Sequence, residues 1–152
     1  MVEGDEIPDV TVVTADGPMP LADLGLPLVV YFYPKDDTAG CTREALDFTA
    51  LAPAFAEAGA VVVGVSKDGP EAHAKFIAKH ALSVALATDS DGSVCEAFGV
   101  WVEKSMYGRE YLGIERATFL FGADGRLVKA WRKVRVAGHV ESVLAAVGTL
   151  RS

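Results

Sequence analysis

The sequence predicts an α/β fold in which a central mixed β-sheet is flanked by helices on both faces. Two continuous apolar runs, residues 28–33 and 60–65, have the composition of strands that are buried on both sides. Segments with apolar residues at helical spacing alternate with these runs, and the chain closes with two further strand-like segments and a helix. Alternating strands and helices followed by a terminal hairpin predict a mixed sheet.

The N-terminal part begins with a short β-branched strand at residues 10–14, which the Asp16-Gly17 turn follows. The strand at residues 28–33 is stopped by Pro34, because proline has no N–H to donate to the sheet. The next element is a helix at residues 42–58, since its apolar residues recur at helical spacing and Gly59 is placed to terminate it.

Pro53 lies inside that helical pattern and is expected to kink or split the helix. The second buried strand, residues 60–65, follows. Pro70 then begins a helix predicted over residues 70–80, where a proline in the first turn is favourable. Residues 84–87 form a short strand, and Asp91-Gly92-Ser93 leads into a brief helical turn that ends near Gly99.

Residues 101–114 have no clean period and are predicted to form a loop. Strands at residues 116–121 and 127–133 are joined by the turn residues Ala123-Asp124-Gly125. An amphipathic helix at residues 139–150 closes the chain. This order of elements is the layout of a thioredoxin-like α/β sandwich.

Length and composition limit the classes of protein that fit. The 152 residues, 51% of them hydrophobic, suit one domain spanning residues 1–152 with a real core, which excludes extended disorder. The net charge of −7 disfavours nucleic acid and anionic membranes as partners. The acidic N-terminus does not have the order of a secretory signal, and the longest uncharged apolar stretch, residues 24–34, is too short to span a bilayer. We therefore expect a soluble cytoplasmic protein, as a monomer or weak homodimer.

The metal-ligating residue types are sparse and scattered. Cys41 and Cys95 are the two cysteines, and no CxxC pair is present, so a zinc site or a dithiol redox motif has nothing to build from. The histidines, His73, His80 and His139, are interpreted as solvated or structural. The sequence predicts no metal and no cofactor.

The segment 31–45, YFYPKDDTAGCTREA, carries the chemistry. A buried strand ends at Pro34, a polar loop follows, and Cys41 lies where the next helix begins. The unpaired N–H groups and positive dipole at a helix start stabilise a cysteine as thiolate, the nucleophilic form. The Thr38 hydroxyl can point into the same pocket, and Gly40 lets the chain turn tightly beside the sulfur. From the residues alone, a reactive thiol and an inert buried cysteine both remain open.

The spacing Pro34-x-x-x-Thr38-x-x-Cys41 resembles the active-site signature of peroxiredoxins. The longer string YFYPKDDTAGCT is similar to the subgroup known as bacterioferritin comigratory protein or peroxiredoxin Q, and the similarity continues through residues 99–121. The resemblance implies a thioredoxin-like fold and a thiol peroxidase that takes electrons from thioredoxin or another thiol.

The same resemblance implies a role for each site residue. Cys41 would attack one oxygen of a hydroperoxide and become a sulfenic acid, while Thr38 would orient the peroxide and Pro34 would shield the thiolate. Arg116 would donate to the sulfur and to the developing charge on the peroxide oxygens. Glu44 would hold the arginine.

Two departures from the family pattern concern Ala39 and the resolving cysteine. Ala39 stands where most members have proline, which loosens the loop without removing a reacting group. Leu46 occupies the position at which many members have the resolving cysteine, and residues 70–80 contain no cysteine. Cys95 is therefore a possible resolving residue, although packing of a short helix is the preferred interpretation of it.

Two other segments have plain structural interpretations. The side chains Trp101, Met106, Tyr107 and Tyr111 are expected to lie on a loop packed over the active-site face rather than to form a ligand box. The basic run 129–135 is predicted to be a solvated strand face rather than a nucleic-acid site.

Three functions compete at this stage. The favoured one is a peroxidase for hydrogen peroxide and alkyl hydroperoxides, with a one-cysteine cycle resolved by an external thiol. A two-cysteine cycle through Cys95 is the alternative cycle. A redox sensor or holdase without turnover, and a thioredoxin-like binding module with an inert cysteine, are the alternative functions.

Overall fold

The computed structural model describes residues 1–150 and confirms the predicted central mixed sheet with helices on both faces. The strands, in chain order, are β1 (Thr11–Thr14), β2 (Gly17–Pro20), β3 (Leu28–Phe32), β4 (Val61–Ser66), β5 (Ala85–Thr88), β6 (Trp101–Met106), β7 (Arg109–Ile114), β8 (Ala117–Phe121) and β9 (Leu127–Trp131). The α-helices are α1 (Ala39–Ala50), α2 (Ala52–Glu57), α3 (Pro70–His80), α4 (Ser93–Ala97) and α5 (His139–Thr149). A short 3₁₀ turn, Leu21–Asp23, follows β2.

Seven strands form the main sheet in the order β2-β1-β5-β4-β3-β8-β9. The three strands β3, β4 and β5 are parallel, and the pairs added on either side of them are antiparallel. β3 lies inside the sheet between β4 and β8, and all five of its residues are buried. β3 is thus a rigid support for the segment that joins it to Cys41.

The side chains of β3 alternate between two separate apolar cores, one on each face of the sheet. Val30 and Phe32 belong to a core that includes residues of α4, whereas Val29 and Tyr31 belong to a core that includes residues of α1, α2, α3 and α5. The sheet therefore separates the two cysteines, because Cys95 lies in the first core and Cys41 in the second.

The prediction of a loop at residues 101–114 is wrong, because β6 and β7 pair there as a two-stranded antiparallel ribbon. Its turn consists of Tyr107 and Gly108, both with positive φ (53° and 78°). Two-residue hairpin turns of this kind require positive φ at both positions, which sequences usually provide with Asn-Gly or Asp-Gly. Tyr107 does not signal such a turn. Its side chain is 98% exposed, so the expected packing of this segment over the active-site face does not occur at its tip.

The other differences are at element boundaries. The long predicted helix is split at Leu51 into α1 and α2, as Pro53 indicated, and α1 begins at Ala39, three residues earlier than expected. β2 was not predicted. It is an edge strand that contains Pro18 and Pro20, and an edge is one of the few places in a sheet where proline is tolerated. The predicted strand at 127–133 ends at Trp131, so the last part of the basic run lies outside it.

No helix within residues 1–150 is long and apolar enough to cross a membrane.

Candidate active site

Cys41 lies in the first turn of α1, two residues after the helix begins. Thr38 is the N-cap residue, and its carbonyl accepts the first helical hydrogen bond, from the N–H of Thr42 at 2.8 Å. The first N–H groups of a helix have no partners within it, and the helix dipole is positive at this end. The Cys41 sulfur is therefore placed where negative charge is stabilised, although the residue is only 2% exposed.

Arg116, which follows Cys41 by 75 residues in the sequence, places a positive charge beside this sulfur. It directly precedes β8, which pairs with β3, and its Nη2 donates to the Cys41 Sγ at 3.3 Å. Its Nη1 donates to Glu44 Oε1 at 2.7 Å. Glu44 lies one turn after Cys41 on α1, and its side chain is fully buried. The guanidinium thus bridges the thiol and the carboxylate with two different nitrogens.

Burial and neighbouring charges shift the pKa values of Glu44 and Arg116 in opposite directions. Burial raises the pKa of Glu44 to about 7, although the neighbouring Arg116 lowers it. The pKa of Arg116 is raised above its ordinary value by Glu44 and Cys41, which outweigh the effect of burial. Arg116 is therefore always charged, and Glu44 exchanges its proton near neutral pH.

Two buried oxygens beside the pair have no hydrogen-bond partner among the described residues: Glu44 Oε2 and Tyr31 Oη. Burial raises the pKa of Tyr31 well above its ordinary value, and the negative charges of Glu44 and Cys41 raise it further. Tyr31 stacks on Phe48 of α1 with 4.5 Å between ring centroids, so an aromatic layer lies behind the turn that contains Cys41.

Gly40 lies close to the guanidinium. A Cβ built on Gly40 would lie 3.2 Å from Arg116 Nη2, the atom that contacts the sulfur. A side chain at this position would therefore require the guanidinium to shift by a few tenths of an ångström. From the sequence, Gly40 was expected only to allow a tight turn, since the approach of a residue 76 positions away leaves no local signal.

The remaining predicted residues lie at different places. Thr38 is exposed, and its hydroxyl donates to the carbonyl of Lys35 at 3.0 Å. Pro34 is exposed just beyond the end of β3. The structure thus joins Cys41, Arg116 and Glu44 directly, with Thr38 at the cap of the same helix.

Cys95 is on the other side of the sheet and fully buried on α4. Burial raises the pKa of the Cys95 thiol, and the adjacent Asp89 carboxylate raises it further. Asp89 also accepts the backbone N–H of Cys95 at 2.9 Å. Cys95 is therefore a protonated thiol in an apolar core.

The three histidines each contact a specific group. His73 is buried against Asp36, His80 pairs with the exposed Asp37 at 2.8 Å, and His139 contacts the Thr118 hydroxyl at 2.8 Å. Burial lowers the pKa of His139 to about 4. Within residues 1–150 no group of three or more His, Cys, Asp or Glu side chains is arranged to hold a metal ion.

Comparisons with known proteins give one consistent picture. The AhpC/TSA family profile matches residues 3–130. The chain is 55% identical over 120 residues to peroxiredoxin Bcp of Xanthomonas campestris, which covers 79% of this chain and 75% of the relative. It is 52% identical over 117 residues to peroxiredoxin Bcp of Bacillus subtilis, with 77% and 74% covered.

Solved structures agree with these relatives. The bacterioferritin comigratory protein of Xanthomonas campestris, studied for its alkyl peroxide reduction activity, superposes with a TM-score of 0.88 at 45% identity over 97% of this chain and 98% of that one. A cysteine-to-serine mutant of peroxiredoxin Q from Xylella fastidiosa superposes with a TM-score of 0.92 at 40% identity, covering 100% and 98%. The thioredoxin-like fold expected from the order of elements is confirmed by these superpositions.

Proposed function

Since this chain belongs to the AhpC/TSA family and is a thiol-dependent peroxidase homologous to the Bcp peroxiredoxins, we propose that it reduces hydrogen peroxide and alkyl hydroperoxides with Cys41 as nucleophile. The proposal takes residues 1–152 as one catalytic domain. The alkyl peroxide reduction described for the Xanthomonas campestris protein supports the inclusion of alkyl hydroperoxides.

The observation that carries the proposal is the contact of Arg116 Nη2 with the Cys41 Sγ at 3.3 Å. A guanidinium beside a sulfur at a helix N-terminus favours the thiolate over the thiol. The same guanidinium is fixed by Glu44, so its second function, stabilising charge on a peroxide, costs little reorganisation.

The reaction balances without a cofactor. The Cys41 thiolate attacks the terminal oxygen of the hydroperoxide, an S–O bond forms, and the O–O bond breaks. The alkoxide leaves and takes up a proton, so the products are a sulfenic acid on Cys41 and an alcohol, or water from hydrogen peroxide. Arg116 stabilises the negative charge as it moves from sulfur to the leaving oxygen. We assign Thr38 to orienting the peroxide and Pro34 to shielding the thiolate.

The sulfenic acid is resolved by an external thiol in our proposal. That thiol attacks the sulfur of the sulfenic acid and water leaves, which gives a mixed disulfide. A second thiol then releases Cys41, so thioredoxin, which carries two, is the reductant that we propose. Cys41 itself is 2% exposed, and its turn therefore has to open at this step.

A two-cysteine cycle through Cys95 is disfavoured by the sheet between the two cores. A disulfide needs Cα atoms within about 7 Å, whereas Cys95 and Cys41 belong to cores on opposite faces. The buried Cys95 thiol, with its raised pKa, is also a poor attacking group.

We place the protein in the cytoplasm, as a monomer or weak homodimer, with no nucleic-acid or membrane partner. The net charge of −7 supports the absence of nucleic-acid and anionic-membrane partners. A redox sensor or holdase would use the same Cys41 oxidation without turnover.

A coupled assay tests the function. Hydrogen peroxide or an alkyl hydroperoxide is added to the protein with thioredoxin and thioredoxin reductase, and peroxide consumption is measured. The proposal expects multiple turnovers for the wild type and for Cys95→Ser, and none for Cys41→Ser. One equivalent of peroxide consumed and no further turnover would favour the sensor, and activity in Cys41→Ser would refute Cys41 as nucleophile.

A further inference from the structure

The segment that joins β3 to α1 contains Pro34 and Thr38, which are proposed to contact the peroxide and to shield the thiolate. One side chain of this segment is buried. Of residues 34–39, Asp36 alone is buried, at 8% exposure. Pro34 and Thr38, two residues before and two residues after it, are both exposed. Asp36 is therefore the buried side chain through which this segment contacts the rest of the protein.

Asp36 is held by residues from three other parts of the chain. The Tyr33 hydroxyl donates to Asp36 Oδ1 at 2.5 Å, and His73 Nδ1 lies 2.6 Å from Oδ2. The backbone N–H of Asp36 donates to Asp68 Oδ2 at 2.9 Å. On its other side, His73 Nε2 lies 3.1 Å from the carbonyl oxygen of Ala87 on β5. The Asp36–His73 pair therefore ties the segment to α3 and, through α3, to the sheet.

The hydrogen-bond roles in this pair follow from its partners. A carbonyl oxygen only accepts, so His73 Nε2 carries a hydrogen. The 2.6 Å contact between His73 Nδ1 and Asp36 also needs a proton, from either side. Burial raises the pKa of Tyr33 far above its ordinary value, so this hydroxyl stays a donor. Every polar side-chain atom of Asp36 and His73 is thus satisfied within a buried pair, the condition under which such a pair is rigid.

We propose that Asp36 and His73 are positioning residues of the peroxidase reaction, which set the distance of Thr38 and Pro34 from the Cys41 sulfur. They touch no reacting atom. The inference rests on the proposed function, in which Cys41 attacks a peroxide that Thr38 orients. A misplacement of about 1 Å in such a geometry costs up to about 100-fold in rate.

Asp37 is a matched control on the same segment. Its carboxylate pairs with Lys79 at 2.7 Å and with His80 at 2.8 Å, both at the end of α3, but it is exposed. It therefore also links the segment to α3. Exposed ion pairs contribute little and constrain little, so Asp37→Asn is expected to leave the reaction unchanged; asparagine also tolerates the positive φ of 60° there.

The experiment compares two rate constants of Cys41 in each folded variant: oxidation by hydrogen peroxide, and alkylation by iodoacetamide. Alkylation needs only an accessible thiolate, whereas oxidation also needs the oriented peroxide. Asp36→Ala and His73→Ala are expected to slow oxidation by about 10- to 100-fold and to leave alkylation within about twofold. A purely structural role would not separate the two rates.

Asp36→Asn is the conservative variant that keeps the geometry. Its Oδ1 accepts from Tyr33, and its amide N–H donates to a neutral His73 Nδ1. We expect oxidation within about threefold of wild type. If the alanine variants do not fold, Tyr33→Phe, which removes one bond to Asp36 and keeps the ring, is expected to slow oxidation by at least about threefold with alkylation unchanged.

Three results would overturn the inference: wild-type oxidation rates in the folded alanine variants or in Tyr33→Phe, parallel losses of both rates, or an Asp36→Asn variant as slow as Asp36→Ala. The proposed function fails separately. In that case the wild-type Cys41 is not oxidised by peroxide at all, whereas failure of this inference leaves the wild-type reaction intact.

Discussion

Replacing Arg116 by alanine removes a guanidinium with two distinct contacts, one to the proposed nucleophile and one to a buried carboxylate. Nη2 contacts the Cys41 Sγ at 3.3 Å, and Nη1 contacts Glu44 Oε1 at 2.7 Å. The substitution therefore has two consequences, one for the rate of peroxide attack and one for the stability of the fold. The rate and the stability can be measured in separate experiments.

The loss in rate follows from the first contact. Removal of one preorganised donor to a developing charge typically costs about 3 kcal/mol, which corresponds to a rate lowered by about 100-fold or more. We expect this loss of rate in Arg116→Ala.

The loss in stability follows from the second contact. Glu44 is fully buried, and its Oε2 already lacks a partner. Without Arg116 the carboxylate has to be neutralised or left unpaired, which costs about 3–5 kcal/mol for a broken buried ion pair. The double variant Glu44→Gln/Arg116→Ala has no such charge, so most of the stability is expected to return while the rate does not.

Stopped-flow oxidation of Cys41 by hydrogen peroxide gives the rate, and urea denaturation gives the free energy of unfolding. The predicted pattern is a slow and unstable Arg116→Ala and a slow but more stable double variant. An oxidation rate within threefold of wild type in Arg116→Ala, or recovery of the rate together with the stability, would refute the assigned role of Arg116.

Three further predictions concern single side chains. Gly40→Ala is expected to slow oxidation of Cys41 by about tenfold or more, because the new Cβ would lie 3.2 Å from Arg116 Nη2 and displace it. Stopped-flow oxidation measures this rate. An unchanged rate would show that the guanidinium moves aside without losing its function. Burial raises the pKa of Glu44 from 4.5 to about 7, so the folded state binds this proton more tightly than the unfolded state. As the pH rises from 4.5 to about 7, wild type is therefore expected to lose about 3 kcal/mol of stability relative to Glu44→Gln. Urea denaturation at pH values on either side of the window measures the loss, and a pH-independent difference would contradict it. Cys95→Ser is expected to keep wild-type turnover with thioredoxin in the coupled assay, since Asp89 can accept the new hydroxyl; loss of activity in a folded Cys95→Ser would favour the two-cysteine cycle.

The sheet and its helices could be predicted because their signals are local. β3 is a continuous apolar segment whose residues are all buried, and such a run is recognisable without knowledge of the rest of the chain. The split of the first helix was likewise visible from Pro53. The β6–β7 ribbon was missed because Tyr107 adopts a positive φ that its residue type does not announce.

The candidate site was predictable only in part, for the same physical reason. The position of Cys41 at a helix start follows from the local sequence, and the resemblance added Arg116 and Glu44. The Asp36–His73 pair joins residues 37 positions apart, and neither side chain is distinguishable locally from a solvated one. Contacts that depend on how α3 packs against the segment between β3 and α1 have no sequence pattern of their own.

The most direct test of the account is the mass of the protein after one equivalent of hydrogen peroxide in the presence of dimedone, which traps sulfenic acids. We predict one dimedone adduct per chain in wild type and in Cys95→Ser, localised to Cys41 by peptide mapping, and no adduct in Cys41→Ser. A quantitative Cys41–Cys95 disulfide in place of the adduct would contradict the one-cysteine cycle. An adduct that persists in Cys41→Ser would contradict Cys41 as the nucleophile.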